Sequence, residues 1–294
     1  MILVIGEILI DEFPDYSRIG GAAFNFAVHL HRFGIPVRFI SRVGKDPNGE
    51  KILGFVSSSG LSVEDIQTDP DYPTGRVHVR LDVEGVPEFH ILPDAAYDWL
   101  DFNGLTTLLR EGTADMVYYG TLIQRTERAS RAMSGLLSAR PETCRAFCDI
   151  NLRPGCYTAD TLRTSVAGAD ILKLSIEEAE EIARLFGIPA ASGTEELTGA
   201  LGPGTVILTR GAAGSEWFSP GNHVRTSPPP AISIADTVGA GDAFAAAAAF
   251  GILRNREPAD ILEAASSFAA AVCGFKGAIP DDEAVYEKFL SAYG

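Results

Sequence analysis

The sequence predicts an α/β fold: one mostly parallel β-sheet covered by helices on both faces, with a small β flap inserted. Three observations carry this. Short apolar runs alternate with helical segments along nearly all of the 294 residues. The runs are continuously apolar, as strands buried on both faces must be. One segment, 76–91, alternates strictly instead, and so belongs to a different sheet.

The elements follow in order. "ILVIG" opens the chain as a strand and "AAFNFAVHLHRFG" follows as a helix; "VRFISRVG" leads to a helix over 46–58. In "RVHVRLDVEGVPEFHI", Val77, Val79, Leu81 and Val83 fall on one side, and His78, Arg80, Asp82 and Glu84 on the other. Glu84-Gly85 suits a hairpin turn. An isolated two-stranded ribbon is barely stable in water, so its apolar face must bury against something. A lid at about 72–100 is expected, closing a pocket or packing against a second copy. "LPDAAYDWL" returns the chain to the core. Then come "DMVYYG", a helix over 127–139, "RAFCDIN", a helix near 160–168, "DILKL", a helix over 176–186 and "TVILTRG", before short strands and two C-terminal helices. No repeat or long linker interrupts this order, which predicts a single domain over 1–294.

Composition narrows the function. The chain is 46% hydrophobic and 21% charged, ordinary for a globular protein. No apolar run reaches the ~18–20 residues of a membrane span. The N-terminus carries Glu7 and Asp11 and no basic region, so no signal peptide is expected. A net charge of −15 argues against nucleic acid and anionic membrane as partners. Any phosphate must therefore be held by a local device. Cys144, Cys148, Cys156 and Cys273 form no CxxC pair; free thiols and the cytoplasm are the expectation.

The local device is "DTVGAGDAF", residues 236–244. A helix N-terminus presents unpaired amides and a partial positive charge. Gly239, Ala240 and Gly241 leave that backbone bare enough for an anion to approach. Asp242 in the first turn could merely favour the helix dipole, but a cap does not need the flanking glycines. A carboxylate beside an anion hole is what phosphoryl transfer to a hydroxyl requires: amides take the developing charge while the acid receives the proton. No GxxxxGK[ST] is present, which excludes a P-loop, and Phe244 stands at the third glycine of a dinucleotide fingerprint. Near the start, Asp11 follows the first strand at the sheet edge, and Gly20, Gly21 and Asn25 open the first helix. A carboxylate, a bare backbone and an amide suit a neutral polyol. His29 and His31 read as ordinary helix residues, and "GTLIQR" (120–125) as a possible pocket wall.

Two signatures, "GGAAFNFAVHLHRFG…VGKDPNG" and "DTVGAGDAF", in this order, resemble those of the ribokinase family, the phosphofructokinase B type of carbohydrate kinases. The resemblance spans essentially the whole chain. "GEILIDEFP", "AAYDW", "DINLRP" and "ILKLSIEEAEEI" are similar to the bacterial fructokinase branch. It implies a ribokinase-like three-layer sandwich with a β lid, ATP and Mg²⁺ as cofactors, and a homodimer through the lid. It further implies that Asp242 is the base and Gly239, Ala240 and Gly241 the anion hole. Asp11, Gly20, Gly21, Asn25 and Arg153 would hold the sugar. Lys173, Ser175, Glu178, Thr209, Gly211 and Gly214 would serve the nucleotide, with Glu178 reaching magnesium through water. Ser175 replaces the family's asparagine, which puts that contact in doubt. A K⁺ site near Asp236 is implied as well. Fructose fits Asp11 and Asn25; 2-keto-3-deoxygluconate would need a cation, for which Arg153 or Arg76 could serve. A catalytically silent sugar-binding regulator on the same fold is the rival from another class, with a nicotinamide oxidoreductase behind it.

Overall fold

A computed structural model describes residues 1–81, 87–189, 194–227 and 233–294. Asp82, Val83, Glu84 and Gly85 of the expected hairpin lie outside them. The strands are β1 (Ile2–Ile5), β2 (Leu9–Glu12), β3 (Ser17–Gly20), β4 (Val37–Gly44), β5 (Ile66–Asp69), β6 (Arg76–Leu81), β7 (Pro87–Ile91), β8 (Met116–Gly120), β9 (Arg145–Asp149), β10 (Ile171–Ser175), β11 (Thr205–Thr209), β12 (Ser215–Ser219) and β13 (Asn222–Thr226). The helices are α1 (Ala22–Arg32), α2 (Pro47–Ser58), α3 (Leu105–Arg110), α4 (Glu127–Ala139), α5 (Ala159–Ala167), α6 (Ile176–Phe186), α7 (Thr194–Leu201), α8 (Ala240–Leu253), α9 (Pro258–Cys273) and α10 (Ala284–Tyr293).

Nine strands form the central sheet, in the order β13-β12-β11-β10-β9-β8-β1-β4-β5. From β11 to β5 every neighbouring pair is parallel, and β12 and β13 add an antiparallel edge. Alternate side chains of each strand enter opposite layers. Ile2 and Val4 pack with Phe26, Phe250 and Phe268 on the α1, α8 and α9 side. Leu3 and Ile5 pack with Met133, Leu162 and Ile182 on the α4, α5 and α6 side. Local chemistry starts several helices: Asp46 caps α2 by accepting from Gly49 N, ahead of Pro47 at the first position, and Thr126 caps α4. The three-layer α/β sandwich is the architecture expected.

Chain order places the site. After β1 the chain builds outward through β4 and β5, then returns to lay β8 on the other side of β1 and continues to β9, β10 and β11. The strand order reverses between β1 and β8, so a crevice opens at their carboxyl ends, where open α/β sheets bind ligands.

The flap differs from expectation in its extent. It is a four-stranded sheet, β3-β2-β6-β7, so residues 9–20 join it. Asp11 therefore sits inside β2 of this second sheet and not on the edge of the central one. Val77 and Val79 are each only 3% exposed and pack in the same core as Leu9 and Tyr97. The chain covers these two valines itself, so they do not require a partner. Phe89, cross-strand from Val79, is 43% exposed and lines the cavity beneath the second sheet.

Candidate active site

A cavity of about 1000 Å³ lies between the second sheet and the carboxyl ends of the central strands. Asp11, Asn25, Arg153 and Asp242 all line it, together with Gly20, Gly21, Gly239 and Gly241. The structure thus gathers, from three separated stretches of the chain, the residues singled out for sugar binding and for the base.

Each is placed by a local cause. Asp242 stands in the first turn of α8, whose residues 242–252 are all buried. The turn is entered through Gly239 at φ 80, left-handed backbone that a glycine adopts without strain. Asn25, in the first turn of α1, donates from Nδ2 to Asp242 Oδ2 at 2.8 Å. Burial pushes the Asp242 carboxyl up; Asn25, Lys173 and Arg153 pull the other way. The first-turn amides of a helix have no acceptor within it, although Ala240 N–H already donates to Thr237 O at 3.3 Å. Of the amides expected to form an anion hole, that of Ala240 is thus already engaged.

Asp11 is also raised by burial, with Arg18 opposing. Arg18 is a bridge: Nε lies 3.5 Å from Asp11 Oδ2 and Nη1 3.4 Å from Asp236 Oδ2. It ties the second sheet to the loop that leads into α8. Asp236 accepts N–H bonds from Val238 and Gly277; against burial, these and Arg18 hold it below the usual carboxylate range. Arg153 donates to Leu152 O at 3.1 Å and lies on the cavity wall. Arg76 lies 3.6 Å from Glu12 and does not line the cavity.

The residues implied for the nucleotide lie along the neighbouring strand ends. Ser175 ends β10 and pairs with Thr209 at the end of β11; Gly211 and Gly214, both at positive φ, shape the turn beyond. A methyl on Gly214 would meet Thr226 O at 2.4 Å, so the turn cannot carry a side chain there. Ser175 caps α6 by accepting from Glu178 N, while Glu178 Oε2 accepts from Ser175 N and Oε1 from Leu152 N. The serine that replaces the family's asparagine thus has a structural task of its own. Among the described residues no group of three His, Cys, Asp or Glu side chains could hold a metal ion.

Sequence reasoning missed Asp149 and Glu7. Lys173 Nζ donates to both Asp149 oxygens, at 2.8 and 3.1 Å, in a fully buried pair. Burial pushes Asp149 up to about 6 against the pull of Lys173, and the lysine is raised, with the pull of Asp149 overcoming its burial. A lone acid in "RAFCD" and a lone base in "ILKL", two adjacent apolar strands, were the available signal: neither could be buried unpaired. Glu7, just beyond β1, is 4% exposed; it lines the main cavity and, with Asp149 and Arg153, walls a side cavity of about 20 Å³. Gly120, Thr121 and Leu122 of "GTLIQR" wall it too. His29 belongs to the core, its Nδ1 3.0 Å from Tyr286 OH and its pKa brought down to about 3 by burial.

A family model described as pfkB family carbohydrate kinase matches residues 15–284. An uncharacterized sugar kinase of Pyrococcus horikoshii is 30% identical over 272 residues, covering 86% of this chain and 83% of its own. Its crystal structure superposes with a TM-score of 0.80 over 98% of this chain and 99% of its own. A fructokinase of Klebsiella pneumoniae is 28% identical over 294 residues, 93% of this chain and 91% of its own. A fructokinase of Vibrio cholerae, solved with fructose, ADP and calcium, matches with a TM-score of 0.80 over 98% of both chains; at 22% identity that likeness is one of fold. With a family match over nearly its whole length and the ribokinase-like architecture around the cavity, the chain belongs to the pfkB family of carbohydrate kinases and is a sugar kinase.

Proposed function

We propose that the chain transfers the γ-phosphate of ATP to a hydroxyl of a small neutral sugar, fructose first. The observation that carries this is Asp242: a buried carboxylate, oriented by Asn25, at a helix start with bare backbone, facing a cavity that also holds Asp11. In this reading the sugar lies against Asp11, Gly20, Gly21 and Asn25 under the second sheet. The nucleotide lies across the ends of β10 and β11, against Lys173, Ser175, Glu178, Thr209, Gly211 and Gly214. The hydroxyl oxygen attacks the γ-phosphorus, its proton passes to Asp242, and the bond to the ADP oxygen breaks. The amides at Gly239–Gly241 take the charge on the moving phosphoryl group, and Arg153 adds a positive charge beside it.

Fructose is favoured because several relatives carry the name fructokinase, including those of Rhizobium leguminosarum and Klebsiella pneumoniae. A 2-keto acid sugar is the second reading, and Arg153 is the cavity cation that favours it. ATP turnover across ketoses, aldoses and keto-acids decides; no turnover with any of them would leave the silent regulator. Asp11→Ala is expected to raise the sugar KM far more than the ATP KM, because Asp11 faces the second sheet's side of the cavity. An equal rise in both would remove Asp11 from the sugar site.

Magnesium is supplied with the nucleotide in this reading. The donors fit that role: each Glu178 oxygen accepts one N–H and keeps a lone pair for a metal-bound water. Excess EDTA is expected to abolish turnover, and full activity in EDTA would exclude the metal. Potassium at Asp236 fits less well. Its carboxylate is already ringed by Val238 N–H, Gly277 N–H and the Arg18 guanidinium. A lid-to-lid homodimer in the cytoplasm completes the proposal, with exposed Phe89 and Tyr16 as its contacts. Light scattering should then show a dimer that Phe89→Asp dissociates, and a monomeric wild type would remove it.

A further inference from the structure

We propose that Glu7 is a positioning residue for the base: it fixes the first turn of α1 and, through Asn25 on that turn, sets the orientation of Asp242. This rests on the reading of Asp242 given above. A helix start is ordinarily held by a side-chain oxygen of its N-cap residue. Here the N-cap is Gly21, at φ 121, with no side chain to offer. Nor can it have one: a methyl at Gly21 would lie 2.6 Å from Glu7 O. Glu7 instead supplies an acceptor for another of the unpaired first-turn amides. Its Oε1 accepts from Ala22 N at 3.0 Å, from just beyond β1.

The contact is close and leaves little play. A methyl at Gly6 would lie 2.2 Å from Ala23 Cβ, so the end of β1 and the start of α1 meet almost backbone to backbone. One turn on, Asn25 N donates to Gly21 O at 2.9 Å, and Asn25 Nδ2 holds Asp242. The hold of Glu7 on Ala22 is thereby carried across a single helical turn to the carboxylate. Burying an acid is costly, and Glu7 is buried in the lining of the same cavity that Asn25 and Asp242 line.

The test is a double-mutant cycle on the full chain, with Glu7→Ala, Asn25→Ala and the pair, and Glu7→Gln beside them. Glu7→Ala should lower kcat by about tenfold with less than about threefold change in sugar KM. Glu7→Gln, whose amide oxygen still accepts from Ala22, should recover most of the loss. In the Asn25→Ala background, Glu7→Ala should add no more than about twofold, because the two act through one path. Losses that multiply, a raised sugar KM at unchanged kcat, or a Glu7→Gln as poor as Glu7→Ala would each overturn the proposal. Should thermal unfolding show that Glu7→Ala does not fold, Glu7→Met replaces it in the same cycle with the same criteria. Asp242→Asn, run alongside, separates the two readings. Wild-type turnover in Asp242→Asn sinks the base itself, whereas an impaired Asp242→Asn with multiplying Glu7 and Asn25 losses sinks only the role of Glu7.

Discussion

Asp242→Asn should lower turnover by about 10²–10⁴-fold, roughly 3–5 kcal/mol of barrier, while leaving ATP affinity nearly unchanged. The substitution is nearly isosteric, and its amide oxygen can still accept from Asn25 Nδ2, so geometry is kept and only basicity is lost. The pH profile sharpens the test. Burial raises the Asp242 carboxyl above the ordinary aspartate range. The active form is the carboxylate, so turnover is present above that raised pKa and falls as pH drops through it. Asp242→Asn should lose this acid limb along with its rate. Unchanged turnover would take Asp242 out of the mechanism, and an unchanged acid limb on a reduced rate would assign the limb to another carboxyl. Asp149, brought up to about 6 by burial, is the nearest alternative.

How legible this was depended on how local each signal is. The parallel core could be read because each strand carries its own continuous apolar run, and helices such as Glu127–Ala139 announce their caps in sequence. "DTVGAGDAF" could be read because its glycines and acid form one turn. The second sheet could be read only in half. β6 alternates over six residues, but β2 and β3 are four residues each, and β2 mixes Leu9 and Ile10 with Asp11 and Glu12. β3 is only the hairpin partner of β2, and what draws β2 into the sheet is β6, far along the chain, which no local pattern encodes. What covers the lid's apolar face is likewise not written locally. The alternation correctly marked Val77 and Val79 as a buried face, but what covers them is Leu9 and Tyr97 of the same chain. Glu7 was invisible as a site residue because its bond to Ala22 N exists only once the segment after β1 and the start of α1 are side by side.

Gly239→Ala should lower kcat by about 10²–10³-fold, the usual cost of losing an anion-hole donor, and should lower the melting temperature as well. Two independent effects act at this one position. Its φ of 80 is left-handed, which costs a residue with a Cβ roughly 1–2 kcal/mol. The added methyl would also lie 2.3 Å from Ala278 Cβ and 2.5 Å from Ala278 Cα, and the latter is backbone that no rotamer change can move aside. The two segments are moreover stitched together: Ala235 N and Asp236 N donate to Cys273 O, and Gly277 N donates to Asp236 Oδ2. A wedge between them must therefore shift the entry to α8, and with it the amides and Asp242. Sugar affinity should change little, since Asp11 and Gly20 lie on the second sheet. Gly241→Ala is the control for strain. That position is not left-handed, and its methyl would sit 3.4 Å from Lys173 Nζ, an ordinary contact. It should keep the wild-type melting temperature whatever it does to the rate. Circular dichroism melts with steady-state kinetics on both variants make the comparison. Wild-type kcat in Gly239→Ala beside a lowered melting temperature would mean that the turn before Asp242 is not the seat of the phosphoryl group, since the methyl would then be felt by the fold and not by the reaction.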